Sequence, residues 1–220
     1  MPVTYERIKS DPEINTYIRQ ADESMRAMGF TEHSFAHVAK CAQVASGLLT
    51  DLGYPEREVE LARIAGYLHD IGNVVNRDDH AHSGALMAFR LLDKMGMPPE
   101  EVAVVITAIG NHDEHTAYPV NAVAAALILA DKSDVRRSRV RNRDNIRFDI
   151  HDRVNYAVEQ AELTLDKQAG TLTLSMDIDT DICPVMEYFE IFTTRMLLCR
   201  KAAQFFELTF KLRINGAMIL

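Results

Sequence analysis

The sequence predicts a mainly α fold, with a helical bundle over residues 1–145 and a small α+β subdomain, an antiparallel sheet plus one long helix, over residues 146–220. Three patterns carry this reading. Apolar residues recur every three or four positions in one segment after another as far as Asp131, with no alternating stretch among them. One of these segments, Ala122 to Ala130, is apolar nearly all round, as a helix with neighbours on every side must be. From Leu163 onward the period falls to two, which is the spacing of a half-buried strand.

The elements follow in order. Asp11-Pro12 reads as an N-cap and first helical residue, with Ile14, Ile18, Ala21, Met25 and Met28 on one face and Gly29 as the stop. A second helix starts near Thr31 or Ser34 and runs to Leu52, closed by Gly53. Pro55 opens a third through Val59, Ala62, Ala65 and Leu68, which delivers His69 and Asp70 at its end. After a polar loop, Asn73 to Asp79, a fourth helix begins at His80 and ends at Gly96. Pro98-Pro99-Glu100 starts a fifth, stopped by Gly110, and Asn121 can cap the apolar sixth. Beyond about Asn145 come a short helix near Ile150 to Ala157 and a hairpin turning at Asp166 to Gly170. A long helix from Pro184 to Phe206 and a closing strand over Leu208 to Ile214 follow, giving three antiparallel strands.

With 220 residues and 47% hydrophobic content the chain can bury a full core. No apolar run reaches the roughly 20 residues needed to span a bilayer, and the first residues hold no apolar signal core. Cys41, Cys183 and Cys199 are odd in number and lack metal-type spacing, so they read as reduced thiols in a cytoplasmic protein. A net charge of -8 argues against a nucleic-acid polymer as partner.

Imidazoles and carboxylates fall at helix ends or facing positions in successive elements: His37, His69, Asp70, His80, His112 and Asp131. Each histidine alone reads equally as a surface or satisfied core residue. Together they have the makeup of a site for one or two cations, since six N/O donors with one bridging carboxylate can hold a pair. His33 and His37 compete for the first position.

His69-Asp70-Ile71-Gly72, with the other five donors in order, resembles the HD-domain superfamily of metal-dependent phosphohydrolases, whose pattern is H…HD…D with further histidines in two-metal members. The resemblance covers about residues 30 to 135. It selects His37, four residues before Cys41, and matches His80 before Gly84-Ala85, His112 within Asn111-His112-Asp113, and Asp131 before Lys132. It implies two divalent ions, of Fe, Mn, Co or Zn, held by His37, His69, Asp70, His80, His112 and Asp131, with Asp70 bridging. It further implies that a bridging hydroxide attacks phosphorus in a small phosphorylated substrate such as a nucleotide or dinucleotide. Asn73 departs from the family, many members of which carry lysine there, and is expected to orient substrate without charge. Positive charge is then expected from Lys132, as a catalytic group, and from Arg77 and Arg136, with Arg137, Arg139, Arg141 and Arg143 read equally as a solvated, salt-bridged stretch. Asp113 or Glu114 could fix imidazole tautomers. The alternatives are a diiron oxygenase of the same superfamily and a non-catalytic nucleotide sensor. The apolar surplus on the long C-terminal helix offers a homodimer face beside its bland use as core.

Overall fold

The computed structural model describes residues 2–141 and 150–220, which fall into two compact units, Met1–Asp131 and Lys132–Leu220. The expected boundary at residues 145 and 146, and Arg143, lie outside the described residues. Helices hold 60% of the structure, so the mainly α class stands. No helix among the described residues is long and apolar enough to cross a membrane.

The first unit contains α1 (Tyr5–Lys9), α2 (Pro12–Ala27), α3 (Phe35–Leu52), α4 (Glu56–Leu68), α5 (His80–Lys94) and α6 (Pro99–Gly110), and α7 (Ala122–Ser133) as far as Asp131. Local chemistry sets the ends. Asp11 Oδ1 accepts the N–H groups of Glu13 and Ile14 at 2.8 and 3.1 Å, a cap that contributes about 1 kcal/mol. Ser34 caps α3, and Gly53, at φ +83°, closes it in the left-handed conformation that glycine adopts without strain. Asn121 Oδ1 accepts from the Ala124 N–H at 2.8 Å, and every side chain from Ala122 to Ala130 is buried.

Two glycines bring the site-bearing elements together. A Cβ at Gly66 in α4 would fall 2.7 Å from the Ala42 backbone in α3, so these helices meet backbone to backbone. At Gly72, in the 3-10 turn Ile71–Val74 after α4, a Cβ would lie 2.0 Å from the His80 carbonyl oxygen at the start of α5. The absence of side chains therefore sets how closely His37, His69 and Asp70, and His80 can approach one another.

The second unit carries α8 (Ile150–Ala157), β1 (Val158–Asp166), β2 (Thr171–Ile178), α9 (Val185–Phe205), β3 (Thr209–Ile214) and β4 (Ala217–Met218). β1 and β2 form the expected hairpin, whose turn is held by Asp166 Oδ1 accepting the Gln168 and Ala169 N–H groups. The sheet departs from the expected three antiparallel strands. It has four in the order β1-β2-β3-β4, and β2 and β3 are parallel. The physical reason is α9, whose 21 residues return the chain about 30 Å, so the next strand starts where β2 started. The extra strand follows Asn215-Gly216, both at positive φ, a strong two-residue hairpin signal.

The basic stretch after Asp131 is engaged within this unit. Arg136 Nε donates to Asp134 at 2.9 Å and Arg139 to the Asp134 carbonyl at 2.9 Å. Arg137 donates to the Tyr156 carbonyl at 2.6 Å and lies over the Tyr156 ring. These arginines thus have partners within this unit.

Candidate metal centre

All six expected donors belong to the first unit, and five of them are buried. His37 lies in the first turn of α3. His69 and Asp70 follow the last turn of α4, His80 starts α5, His112 follows α6, and Asp131 is on α7. Three of these imidazoles rest on backbone carbonyls three residues upstream. His69 Nδ1 lies 2.9 Å from the Gly66 carbonyl and His112 Nδ1 lies 2.6 Å from that of Ile109. His80 Nδ1 makes the same contact, at 3.0 Å, to the Arg77 carbonyl. A carbonyl only accepts, so each Nδ1 carries the proton and each neutral ring presents a lone pair at Nε2. The tautomers of His69, His80 and His112 are thus fixed by backbone three residues upstream. Asp113 lies 3.9 Å from His80 Nε2.

Those lone pairs converge on Asp70. Its Oδ2 is 3.4 Å from both His37 Nε2 and His69 Nε2, while its Oδ1 is 3.5 Å from His80 Nε2 and 3.9 Å from His112 Nε2. Asp131 Oδ1 closes the first side, 3.4 Å from His37 Nε2 and 3.8 Å from His69 Nε2. The two carboxylate oxygens of Asp70 therefore face two separate sets of imidazoles. His69 Nε2 and Asp70 Oδ2 are buried without a hydrogen-bond partner, and His80 Nε2 meets His112 Nε2 at 3.2 Å, lone pair toward lone pair. Buried polar atoms left in this state cost about 1–3 kcal/mol each, which a divalent cation among them would relieve. The donors fit such an ion: single ligand atoms of His69, Asp70 and His112 lie within 4.8 Å of one another, as do those of His37, Cys41, His69 and Asp131.

The electrostatics agree. Burial by itself would raise the Asp70 carboxyl, but the surrounding imidazoles of His69, His33 and His37, which carry charge when protonated, hold it well below the usual carboxylate range, and a cation between neutral rings would act in the same sense. Burial lowers the His80 imidazole, against the pull of Asp70, and so favours the neutral form that a metal needs.

The remaining expected residues separate. Asn73 is fully buried, and its amide nitrogen donates to both the carbonyl and Oδ1 of Asp70 at 3.0 Å. Its geometry orients Asp70. Because such outer partners are worth 10–100-fold, Asn73→Ala is expected to weaken metal affinity by about that factor in a titration, with the fold retained. Arg77 reaches the centre: its Nη1 lies 3.3 Å from Asn73 Oδ1 and 3.4 Å from His80 Nε2. Lys132 and Arg136 belong to the second unit.

Two residues at the cluster escaped sequence reasoning. His33, passed over in favour of His37, is buried, with Nδ1 2.8 Å from the Thr31 carbonyl and Nε2 4.0 Å from Asp70 Oδ2. His33 lies outside the helix, just before α3, where Asp22 fixes its N–H at 2.9 Å, so no helical spacing pointed to it. Cys41 Sγ lies 3.7 Å from His37 Nδ1.

A model of the HD domain matches residues 34–145, half of the chain. The chain belongs to the HD domain family. This HD domain is 30% identical over 115 residues to ribonuclease Y of Opitutus terrae, a match covering 51% of the chain but only 20% of that protein. It is 24% identical over 182 residues to an uncharacterized protein of Methanocaldococcus jannaschii, covering 72% of the chain and 70% of the relative. A crystal structure described as a predicted HD superfamily hydrolase, from an uncultured Thermotogales bacterium, aligns with a TM-score of 0.45 at 26% identity over 59% of this chain and 72% of that one.

Proposed function

We propose that this HD domain is a two-metal phosphohydrolase acting on a small phosphorylated molecule, a nucleotide or dinucleotide being the leading class. The observation that carries the reading is the division of Asp70, with one oxygen toward His37 and His69 and the other toward His80 and His112. A carboxylate placed in this way can bridge two cations, with Asp131 as a further donor on the first side. Divalent ions held there would supply Lewis acidity and a hydroxide nucleophile at neutral pH.

The chain's own residues do the rest. Asn73 holds the bridging carboxylate in place. If His80 Nε2 held an ion, Arg77 would lose that acceptor, and its guanidinium, which also lies against Asn73, could serve a phosphate oxygen. Arg77 also lines a cavity of about 330 Å³ with Asp79, His82, Asp113, His115 and Thr116, a size that suits a small organic moiety.

The test is metal analysis of anaerobically purified protein together with a phosphomonoester and phosphodiester screen. Two equivalents of metal and metal-dependent phosphate release or diester cleavage are expected. Oxygen consumption by a reduced diiron form without hydrolysis would instead favour an oxygenase, and nucleotide binding without turnover a sensor. Arg77→Ala is expected to raise KM for the active substrate about tenfold or more while leaving metal content unchanged, the loss of one charge-assisted hydrogen bond worth about 1.5–3 kcal/mol. An unaltered KM would remove Arg77 from the substrate site.

A further inference from the structure

We infer that the β1 edge of the second unit pairs with β1 of another copy of this chain, about a two-fold axis at Leu163, to form one continuous eight-stranded sheet. β1 is an outer strand of the sheet, and after Val158 all of its residues are exposed or half-exposed. Edge strands present unpaired N–H and C=O groups to any strand that can align with them, and proteins usually blunt them with proline, charged side chains, bulges or shortness. The opposite edge is blunted in this way, since β4 has two residues. β1 runs for nine residues, Val-Glu-Gln-Ala-Glu-Leu-Thr-Leu-Asp, without proline or lysine; its irregularity is confined to the first residues, and of its charges, Glu159, Glu162 and Asp166, the last two lie in the regular part.

The side chains select the partner and the register. The irregularity between Val158 and Gln160 leaves Gln160–Asp166 as the regular part of β1, and Leu163 is its midpoint. Ala161, Leu163 and Leu165 lie opposite Met176, Leu174 and Leu172 of β2, whose side chains are buried, yet they themselves remain half-exposed. An antiparallel copy centred on Leu163 extends this apolar row, setting Leu163 against itself and Ala161 against Leu165. On the other face it sets Glu162 against Thr164 and Gln160 against Asp166, so each carboxylate meets a hydroxyl or an amide. Moving the axis to Glu162 would oppose that carboxylate to its own copy, and moving it to Thr164 would oppose Glu162 to Asp166. Like charges directly opposite are destabilising, so the pattern admits the register centred on Leu163 and penalises its neighbours. A two-fold pairing of this kind is isologous and closes at the dimer.

The test uses the full chain in sedimentation at micromolar concentration and register-specific cross-linking. Wild type is expected to be a dimer. Leu163→Cys is expected to form an intermolecular disulfide under mild oxidation, because directly opposed Cβ atoms lie about 4.5–5.5 Å apart, whereas Glu162→Cys is expected to form none. The native cysteines, all buried, should not compete. Thr164→Glu, which places two carboxylates opposite Glu162, is expected to give a folded monomer by circular dichroism, and adding Glu162→Lys is expected to restore the dimer. A monomeric wild type, a cross-link through Glu162→Cys in place of Leu163→Cys, or a Thr164→Glu variant that stays dimeric would each overturn the inference. Metal content and hydrolysis test the other unit and are independent of this outcome.

Discussion

Asp70→Asn is expected to abolish stoichiometric metal binding and to lower the proposed phosphohydrolase turnover by well over 100-fold, with a folded protein. Partners outside the ligand set are worth about 10–100-fold in such sites, so removal of the carboxylate that faces both imidazole sets should exceed that range. The amide keeps the volume of the carboxylate and can still accept from Asn73, which donates to Oδ1 at 3.0 Å. Its N–H can also satisfy the otherwise unpartnered Nε2 of His69. The metal-free variant should therefore lie within about 1 kcal/mol of metal-free wild type, the usual worth of one hydrogen bond. The two proteins should differ on adding metal. Wild type should gain about 2.7 kcal/mol at a free metal concentration 100 times Kd, and the variant should gain nothing. Thermal melts in chelator and in manganese, beside metal analysis, check both halves. Metal retained at full occupancy with turnover within a few-fold of wild type would remove Asp70 from the centre.

Gly72→Ala is expected to destabilise the chain by about 3 kcal/mol or more and to lose metal affinity with it. The added Cβ would lie 2.0 Å from the His80 carbonyl oxygen and 2.5 Å from the Gly84 nitrogen, and both are backbone atoms without rotamers to change. Overpacking typically costs about 1–3 kcal/mol when side chains can yield, and here the turn after α4 and the start of α5 must separate. That movement carries His80 away from Asp70, so metal affinity should fall together with stability. Gly47→Ala is the contrasting case: it lies within α3, its added Cβ meets nothing within 4 Å, and it should gain up to about 1 kcal/mol from helix propensity. Denaturant melts of the two variants measure the difference. Equal stabilities would mean that the close approach at Gly72 does not hold the two elements.

What could be read without coordinates was what depends on near neighbours in the chain. Asp11-Pro12, Ser34, Gly53 and Pro98-Pro99 mark helix ends because caps and breakers act within one turn, and the helices start and stop there. Asn215-Gly216 was legible by the same rule, although the strand that follows it was not anticipated. The parallel pairing of β2 with β3 could also have been argued, because a long helix between two strands of one sheet returns the chain to run in the same direction.

The donors divide along the same line. Their residue types and their places at helix ends are local, and so are the carbonyls that fix the tautomers of His69, His80 and His112 three residues back. The two-sided geometry of Asp70 and the admission of His33 depend instead on how closely α3, α4 and α5 pack. Asn73 likewise turns to Asp70 only because of where the turn places it. The sequence by itself determined a helical HD domain carrying six donors in order. Only the tertiary structure decided which oxygen faces which imidazole, because that follows from backbone contacts at Gly66 and Gly72 between segments whose spacing along the chain carries no distance information.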